Sequence, residues 1–312
     1  PESVRVLMVD FQIGVDLGGT KTEAVALDGE GRIVARKRVP SPQGDYEATL
    51  CNIRDLVKDV ELEAGGIGSV GVAIPGTVSP ATGLVKNANS TWLIGKALDQ
   101  DLASTLDRPV RLANDANCFA LSEAVDGAAA GANVVFGVII GTGVGGGIAV
   151  AQKALTGPNA IAGEWGHNPM PWPEKTEWPG VRCYCGKQGC IETFVSGTGM
   201  ARDHALVTGE AITAEQIIHL AEDGNDAANE TLARYERRLA KSLATILNVL
   251  DPDVIVLGGG VSNVKRLYKN VPPLIAEYSF SDEISTPVVQ NKHGDSSGVR
   301  GAAWLWQNEN QP

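Results

Sequence analysis

The sequence predicts an α/β protein of two domains, and three observations carry that expectation. Its 312 residues suggest about two domains at roughly 150 residues each. A strand, a glycine turn and a second strand occur twice, about 125 residues apart, so two similar halves are expected. Through the second half, helical and strand-like segments alternate, as they do in α/β proteins.

The chain opens with Phe11-Gln12-Ile13-Gly14-Val15-Asp16, a run apolar enough for a buried strand, followed by the turn Gly18-Gly19-Thr20. Residues 23–27 and 32–39 read as two more strands joined by the polar turn Asp28-Gly29-Glu30-Gly31, so three antiparallel strands begin the protein. Residues 46–63 place Leu50, Ile53, Leu56, Val57 and Val60 on one side of a helix. A short apolar strand at 70–74 stops at Pro75-Gly76, a turn signal. A further strand at 110–113 ends at Asn114-Asp115, and a helix is expected from Ala116. The opening pattern then repeats, with a strand at 134–140, a turn running from Gly141 to Gly147, and a strand leading out from Ile148. Residues 158–199 are rich in Pro, Gly, Trp and Cys and read as an insertion with little regular structure. Residues 230–250 put Leu232, Tyr235, Leu239, Leu243, Ile246 and Leu250 on one helical face. Asp251-Pro252 ends that helix, a buried strand occupies 254–257, and Gly258-Gly259-Gly260 follows.

Composition narrows the function. The chain carries 26 basic and 37 acidic residues, a formal charge of -11, which argues against a nucleic-acid binder needing a basic face. No apolar run reaches the length of about 18 residues that a membrane-spanning helix requires. Residues 1–10 are too short and polar for a signal peptide and read as a trimmed or extra leader. Three of the five cysteines, Cys183, Cys185 and Cys190, cluster tightly, and the count is odd. That fits a reduced, cytoplasmic setting and a metal better than a disulfide framework.

Three glycine turns follow strands: Gly18-Gly19-Thr20-Lys21, Gly141-Thr142-Gly143 with the glycines up to Gly147, and Gly258-Gly259-Gly260. Turns of this kind let backbone N–H groups approach a phosphate with no Cβ in the way. None has the P-loop spacing, and a second strand rather than a helix follows Gly141–Gly147, against a dinucleotide site. Their order, with Asp16 ending the first strand, resembles the actin-like ATPase superfamily, of ribonuclease H-like fold. The resemblance implies that two hairpin turns grip the phosphates of ATP from opposite domains while the third supports the adenosine. Asp16 would then hold Mg²⁺, largely through water, although strand-end carboxylates also serve as plain turn residues. Lys21 is either a supporting phosphate contact or a surface residue.

His167 with Cys183, Cys185 and Cys190 supplies three thiolates and an imidazole, a closed tetrahedral set for structural Zn²⁺; the other reading is a group of free thiols. These residues lie in Gly163-Glu164-Trp165-Gly166-His167 and Cys183-Tyr184-Cys185-Gly186-Lys187-Gln188-Gly189-Cys190-Ile191-Glu192. Together with Asp16-Leu17-Gly18-Gly19-Thr20-Lys21 they resemble the signature of the ROK family of sugar kinases (repressor, ORF, kinase), over residues 12–306. Asn87-Ala88-Asn89-Ser90-Thr91-Trp92 and His293-Gly294-Asp295-Ser296-Ser297-Gly298 look like its bacterial fructokinase (manno-fructokinase) branch.

The resemblance implies roles at matching positions. Asp115 is the general base, Gly76, Asn89, Asn114, Glu164, His167 and Glu192 meet the sugar with it, and His167 also binds zinc. Read without the family, Asn114-Asp115 is a helix cap and Glu192 a solvated loop residue. His204 and His219 read as surface residues, and Trp165, Trp172 and Trp178 as packing for the insertion. The implied activity is ATP-dependent phosphorylation of a hexose, D-fructose first, with N-acetylglucosamine or glucose as alternatives. A sugar-responsive repressor of the same family would need a helix-turn-helix ahead of the first strand, and an actin-like or chaperone-type ATPase would need no zinc insertion. The expected architecture joins residues 11–115 and 295–312 into a smaller domain. Residues 116–294, with the zinc-binding insertion 158–199, form the larger one. ATP and sugar would share the cleft between them, and the family implies a homodimer.

Overall fold

The computed structural model describes residues 11–307; the leader at 1–10 and the last five residues of the expected returning segment lie outside them. Two five-stranded sheets organise the molecule. The first is built from β1 (Phe11–Leu17), β2 (Lys21–Leu27), β3 (Ile33–Pro40), β4 (Gly68–Ile74) and β7 (Val110–Asn114), in the order β3-β2-β1-β4-β7. Between β4 and β7 a small ladder joins β5 (Thr77–Val78) to β6 (Val85–Lys86). The second sheet contains β8 (Val134–Ile140), β9 (Val144–Val150), β10 (Lys153–Ala154), β11 (Val254–Gly258) and β12 (Val288–Gln290), in the order β10-β9-β8-β11-β12.

The two sheets share one plan. Each opens with antiparallel neighbours (β1 with β2, β2 with β3; β8 with β9, β9 with β10) and continues with parallel ones (β1 with β4, β4 with β7; β8 with β11, β11 with β12). The repeat seen in the sequence is therefore a repeat of topology.

Helices cover the sheets. α1 (Tyr46–Ala64) starts where Asp45 accepts from the Ala48 N–H, 2.9 Å, and stops at Gly65 in the left-handed region, a start and stop that satisfy terminal backbone groups. Its buried Leu50, Ile53, Leu56, Val57 and Val60 join one core with Ile13, Val15, Val70 and Val72 of the first sheet. α2 (Leu98–Leu106) completes that side. α7 (Asp226–Leu250) buries Leu232, Tyr235, Leu239 and Leu243 in a second core with Phe136 and Val138 of β8. Around it lie α4 (Glu192–Val195), α5 (Gly197–Thr208), α6 (Ala214–Glu222) and α8 (Arg266–Tyr278).

Two helices lie between the sheets. α3 (Asp115–Val125) packs on β8 and β9, while α9 (Ser297–Ala303) packs on β1, β4 and α3. The contacts are backbone-close: a Cβ on Gly14 or Gly71 would overlap α9, and one on Gly301 would overlap the Cys118 carbonyl of α3. Among the described residues, no helix is long and apolar enough to cross a membrane.

Several sequence expectations need correction. Gly145, Gly146 and Gly147 are strand residues of β9, not turn residues, because α3 and Trp165 lie where their side chains would be. The irregular insertion gives way to α4 and then α5 before residue 199. His204 is buried, its Nδ1 2.9 Å from Thr231 Oγ1 of α7. Trp172 and Trp178 are exposed, whereas Trp165 alone of the three is core, meeting Phe136 edge to face.

Candidate active site

The first glycine turn joins β1 to β2. Gly18 donates to the Lys21 carbonyl at 3.1 Å, and a Cβ on Gly18 would crowd that same oxygen at 2.7 Å. Two residues with no glycine signature brace the turn: Ser41 Oγ donates to the Gly18 carbonyl at 2.7 Å, and Gln43 to that of Gly19 at 3.0 Å. The second turn is tied from α5, where Gly197 N–H reaches the Gly141 carbonyl and Thr198 Oγ1 the Thr142 carbonyl, both 2.8 Å. Gly143 lies against Glu192, whose Oε2 accepts from the Val144 N–H at 3.0 Å. At the third turn Gly259 has φ of 80° and packs on the backbone of Ile140, the last residue of β8; glycine meets both demands without strain.

These turns open onto two cavities. One, of about 1120 Å³, is lined by Gly141, Thr142, Gly197, Ile212, Gly260 and Val264 among others. The other, of about 370 Å³, brings together Asp16, Gly18, Thr20, Lys21, Asp115 and Gly259. Gly19, Gly143 and Gly258 belong to the same turns but line neither cavity. Gly259 and Gly260, consecutive in the chain, line one cavity each.

Asp115 sits at the first position of α3. The cap is Asn114: its Oδ1 accepts from the Ala116 N–H at 3.0 Å, and its Nδ2 donates to the Gly76 carbonyl at 3.2 Å. That second bond joins neighbours, because Asn114 pairs with Ile74 in the parallel ladder of β4 and β7. Asp115 Oδ1 accepts from Ala116 as well, at 2.8 Å. Burial pushes the Asp115 carboxyl up to about 6, the Ala116 N–H opposes this, and the negative charge of Glu164 adds to it. Asp16 is pushed higher, to about 7, by burial and then by the Asp115 and Glu23 charges. Two carboxylates in one small cavity resist joint ionisation, and a divalent cation between them would remove that conflict.

The residues read as sugar-facing, apart from Asp115, line neither cavity. Glu164 is exposed beside the buried Trp165, whose Nε1 reaches the Gly145 carbonyl at 3.3 Å. Asn89 is exposed between the buried Ala88 and Ser90. Gly76 is required where it is, since a Cβ there would meet the Lys86 carbonyl at 2.8 Å. Glu192 and Glu164 both act on Tyr184, raising its hydroxyl to about 12 after burial has done so. Tyr184 itself was missed: its hydroxyl lies 3.0 Å from His167 Nε2, which orients the ring. It stands between two of the motif cysteines, a position that could have singled it out.

His167 Nδ1 faces the other way, 3.6 Å from Cys183 Sγ, and Cys185 Sγ lies 3.6 Å from Cys190 Sγ. All four ligand atoms fall within 4.8 Å of one another. A tetrahedral ion with bonds of about 2.3 Å to sulfur requires edges of about 3.8 Å; the two separations of 3.6 Å match that edge, and the wider ones, up to 4.8 Å, would have to draw in around an ion.

A model of the ROK family matches residues 12–309. The chain belongs to the ROK family. It is 40% identical over 296 residues to an N-acetyl-D-glucosamine kinase of Salmonella typhimurium, covering 94% of this chain and 98% of that one. The corresponding figures for the N-acetyl-D-glucosamine kinase of Pectobacterium atrosepticum are 39%, 94% and 97%. Among solved structures, the ROK hexokinase of Thermus thermophilus superposes with a TM-score of 0.84 at 28% identity, covering 95% of this chain and 97% of that one. A ROK glucokinase of Streptomyces griseus in complex with glucose and AMPPNP gives 0.77 at 28%, covering 95% and 98%. The paired sheets of this ROK protein are the two halves of the actin-like ATPase fold.

Proposed function

We propose that this ROK-family sugar kinase transfers the γ-phosphoryl group of ATP to the 6-hydroxyl of N-acetyl-D-glucosamine, with Asp115 as general base. The observation that carries the reading is the small cavity in which Asp115 and Asp16 meet the first and third glycine turns. In this reading the nucleoside occupies the larger cavity beside Gly141, Thr142 and Gly260. The phosphates cross Gly259 toward Gly18, Thr20 and Lys21. Gly19, Gly143 and Gly258 shape the turns from behind.

Asp16 is the residue that would hold Mg²⁺, whose charge offsets that of the phosphates. Asp115 accepts the proton as the sugar oxygen attacks phosphorus. A positioned base contributes about 10²–10⁴-fold, and a carboxyl held at about 6 is ionised at neutral pH yet basic enough to take a proton. Gly76, Asn89, Asn114, Glu164, His167 and Glu192 form the sugar side, where amides and carboxylates each read a hydroxyl through paired hydrogen bonds. His167, Cys183, Cys185 and Cys190 would hold zinc in a closed site that braces this loop and activates no water. Residues 11–115 with α9 form one wall of the cleft and residues 116–294 the other.

The choice of sugar departs from the fructose expected from the sequence. Relatives 40% identical across nearly the whole chain are N-acetyl-D-glucosamine kinases. One of the two motifs behind the fructose expectation has a structural duty as well: His293 Nε2 lies 3.0 Å from Asp126 Oδ1 and Ser297 Oγ donates to Glu123 at 2.8 Å, while Gly294, Asp295 and Gly298 line the small cavity. It fastens the segment before α9 to the end of α3. A coupled ADP-release assay over N-acetylglucosamine, N-acetylmannosamine, glucose, mannose and fructose tests the reading. N-acetylglucosamine is expected to give the highest kcat/KM. Fructose in first place would return the sugar to the earlier expectation, and no sugar-stimulated ADP release would remove the kinase reading.

A further inference from the structure

The small cavity holds one strongly basic group that none of the glycine turns supplies. Arg38 of β3 lines it, together with Glu23 of β2 and Asp295. Antiparallel pairing sets Glu23 directly opposite Arg38. Glu23 is buried, and its Oε2 accepts from Arg38 Nε at 2.9 Å and from Nη2 of the same guanidinium. Arg36, two residues earlier on the same face of β3, places Nε 2.6 Å from Glu23 Oε1, close in distance but off-line for a hydrogen bond. Both oxygens of Glu23 thus face guanidinium groups, which leaves it unsuited to holding a metal ion.

The charges around Arg38 say what it is for. Asp16 and Asp295 both act on it, as does Glu23, and its own charge is the one that opposes the rise in the Asp16 carboxyl. The bonds to Glu23 use Nε and one edge of the planar fork, whereas the guanidinium has five N–H donors in fixed directions. A phosphate oxygen is the partner that such a fork fits, and charge-assisted bonds of this kind are about twice as strong as neutral ones. A lone arginine on an edge strand would spend its time in solvent; one clamped by a buried carboxylate is already oriented when the ligand arrives.

We infer that Arg38 is a phosphate-binding residue of the active site, contacting the β- or γ-phosphoryl oxygens of Mg-ATP, and that Glu23 is its positioning residue. This rests on the proposed placement of the phosphates in the small cavity. Arg38 would neutralise charge on the phosphoryl group without taking part in proton transfer, and Glu23 would act only through it.

The test compares ligands that differ in phosphate alone. Titration calorimetry of Mg-ATP and of adenosine is run on the wild-type chain, Arg38→Gln, Arg38→Lys and Glu23→Gln, with melting temperatures as the control for folding. Arg38→Gln is expected to weaken Mg-ATP binding at least tenfold and to lower kcat, with adenosine affinity kept within about twofold. Arg38→Lys should recover part of the loss, and Glu23→Gln should weaken Mg-ATP less than Arg38→Gln does. A purely structural pair would lower the melting temperature and weaken both ligands together, which overturns the inference. So does an Arg38→Gln chain that binds and turns over Mg-ATP like the wild type. If Arg38→Gln fails to fold, Arg38→Lys decides alone: unchanged Mg-ATP affinity and kcat refute the role. A wild-type chain that binds adenosine but gains nothing from the phosphates sinks the placement of the phosphates itself, and with it the role of Arg38.

Discussion

Replacing Asp115 by Asn separates what this carboxylate does in the reaction from what it costs the fold. The side chain is nearly isosteric, and its Oδ1 can still accept from the Ala116 N–H that the carboxylate uses at 2.8 Å. Burial first, and Glu164 second among the groups that raise it, hold the carboxyl at about 6 instead of its ordinary 3.8. A displacement of that size means that the ionised form is disfavoured in the folded chain by about 3 kcal/mol. The opposing pull of the Ala116 N–H is already contained in that net displacement, so removing the charge is expected to stabilise the chain by about 3 kcal/mol at pH 8.

The sign follows from proton counts. Between about pH 4 and pH 6 the folded carboxyl keeps its proton while the unfolded one has lost it, so stability falls as pH rises through this window. Above it the penalty is complete, and below it there is none. Asp115→Asn should therefore melt about 3–6 °C higher than the wild type at pH 8 and at the same temperature near pH 4, by differential scanning calorimetry without ligands. Its kcat should fall by about 10²–10⁴-fold, with Mg-ATP affinity retained. Turnover near that of the wild type would refute the base assignment. Equal melting temperatures at pH 8 would refute the claim that the charge is uncompensated.

Three further outcomes can be checked. At saturating Mg²⁺ and ATP, log kcat/KM for the sugar should drop by about one unit per pH unit below pH 6 and level off above pH 7, because the base must be ionised; a flat profile from pH 5 to 8 contradicts Asp115 in that role. Gly301→Ala should cost about 3 kcal/mol or more, seen as a lower melting temperature and poor soluble yield, because a Cβ there overlaps the Cys118 carbonyl and neither helix can give way cheaply; a melting temperature unchanged within about 1 °C would show that α3 and α9 are less tightly joined. Metal analysis of the purified chain should return one zinc per chain, and chelation or Cys185→Ser should lower melting temperature and activity together; a zinc-free, fully stable chain removes the site.

What could be read from the sequence, and what could not, divides along a physical line. β1, β4, β8 and β11 were legible because each is an apolar run bounded by glycine, and α1 and α7 because one face repeats at helical spacing. α5 was not: Gly197, Gly199 and Thr208 weaken its helical signal, and its start depends on Ser196 accepting from the Gly199 N–H. His204 looked like a surface residue because its partner, Thr231, is far away in sequence and meets it only when α5 docks on α7. Gly145 to Gly147 looked like a turn because glycine reports missing side chains without saying why they are missing. In this chain, a helix and a tryptophan need the space.

Glu23 is the instructive case. It stands in an otherwise apolar strand, Thr22-Glu23-Ala24-Val25, and burying a carboxylate without a partner is expensive. Applied seven residues after Asp16, that rule demands a cation for Glu23. Strand alternation alone could not name that cation, because the β2–β3 register carries a shift between Ala26 and Leu27. Only the folded sheet shows that Arg38 answers Glu23 and, in doing so, turns toward the cavity shared by Asp16 and Asp115. The parts of the site set by local chemistry were therefore visible in the sequence, and the part set by pairing between strands was not.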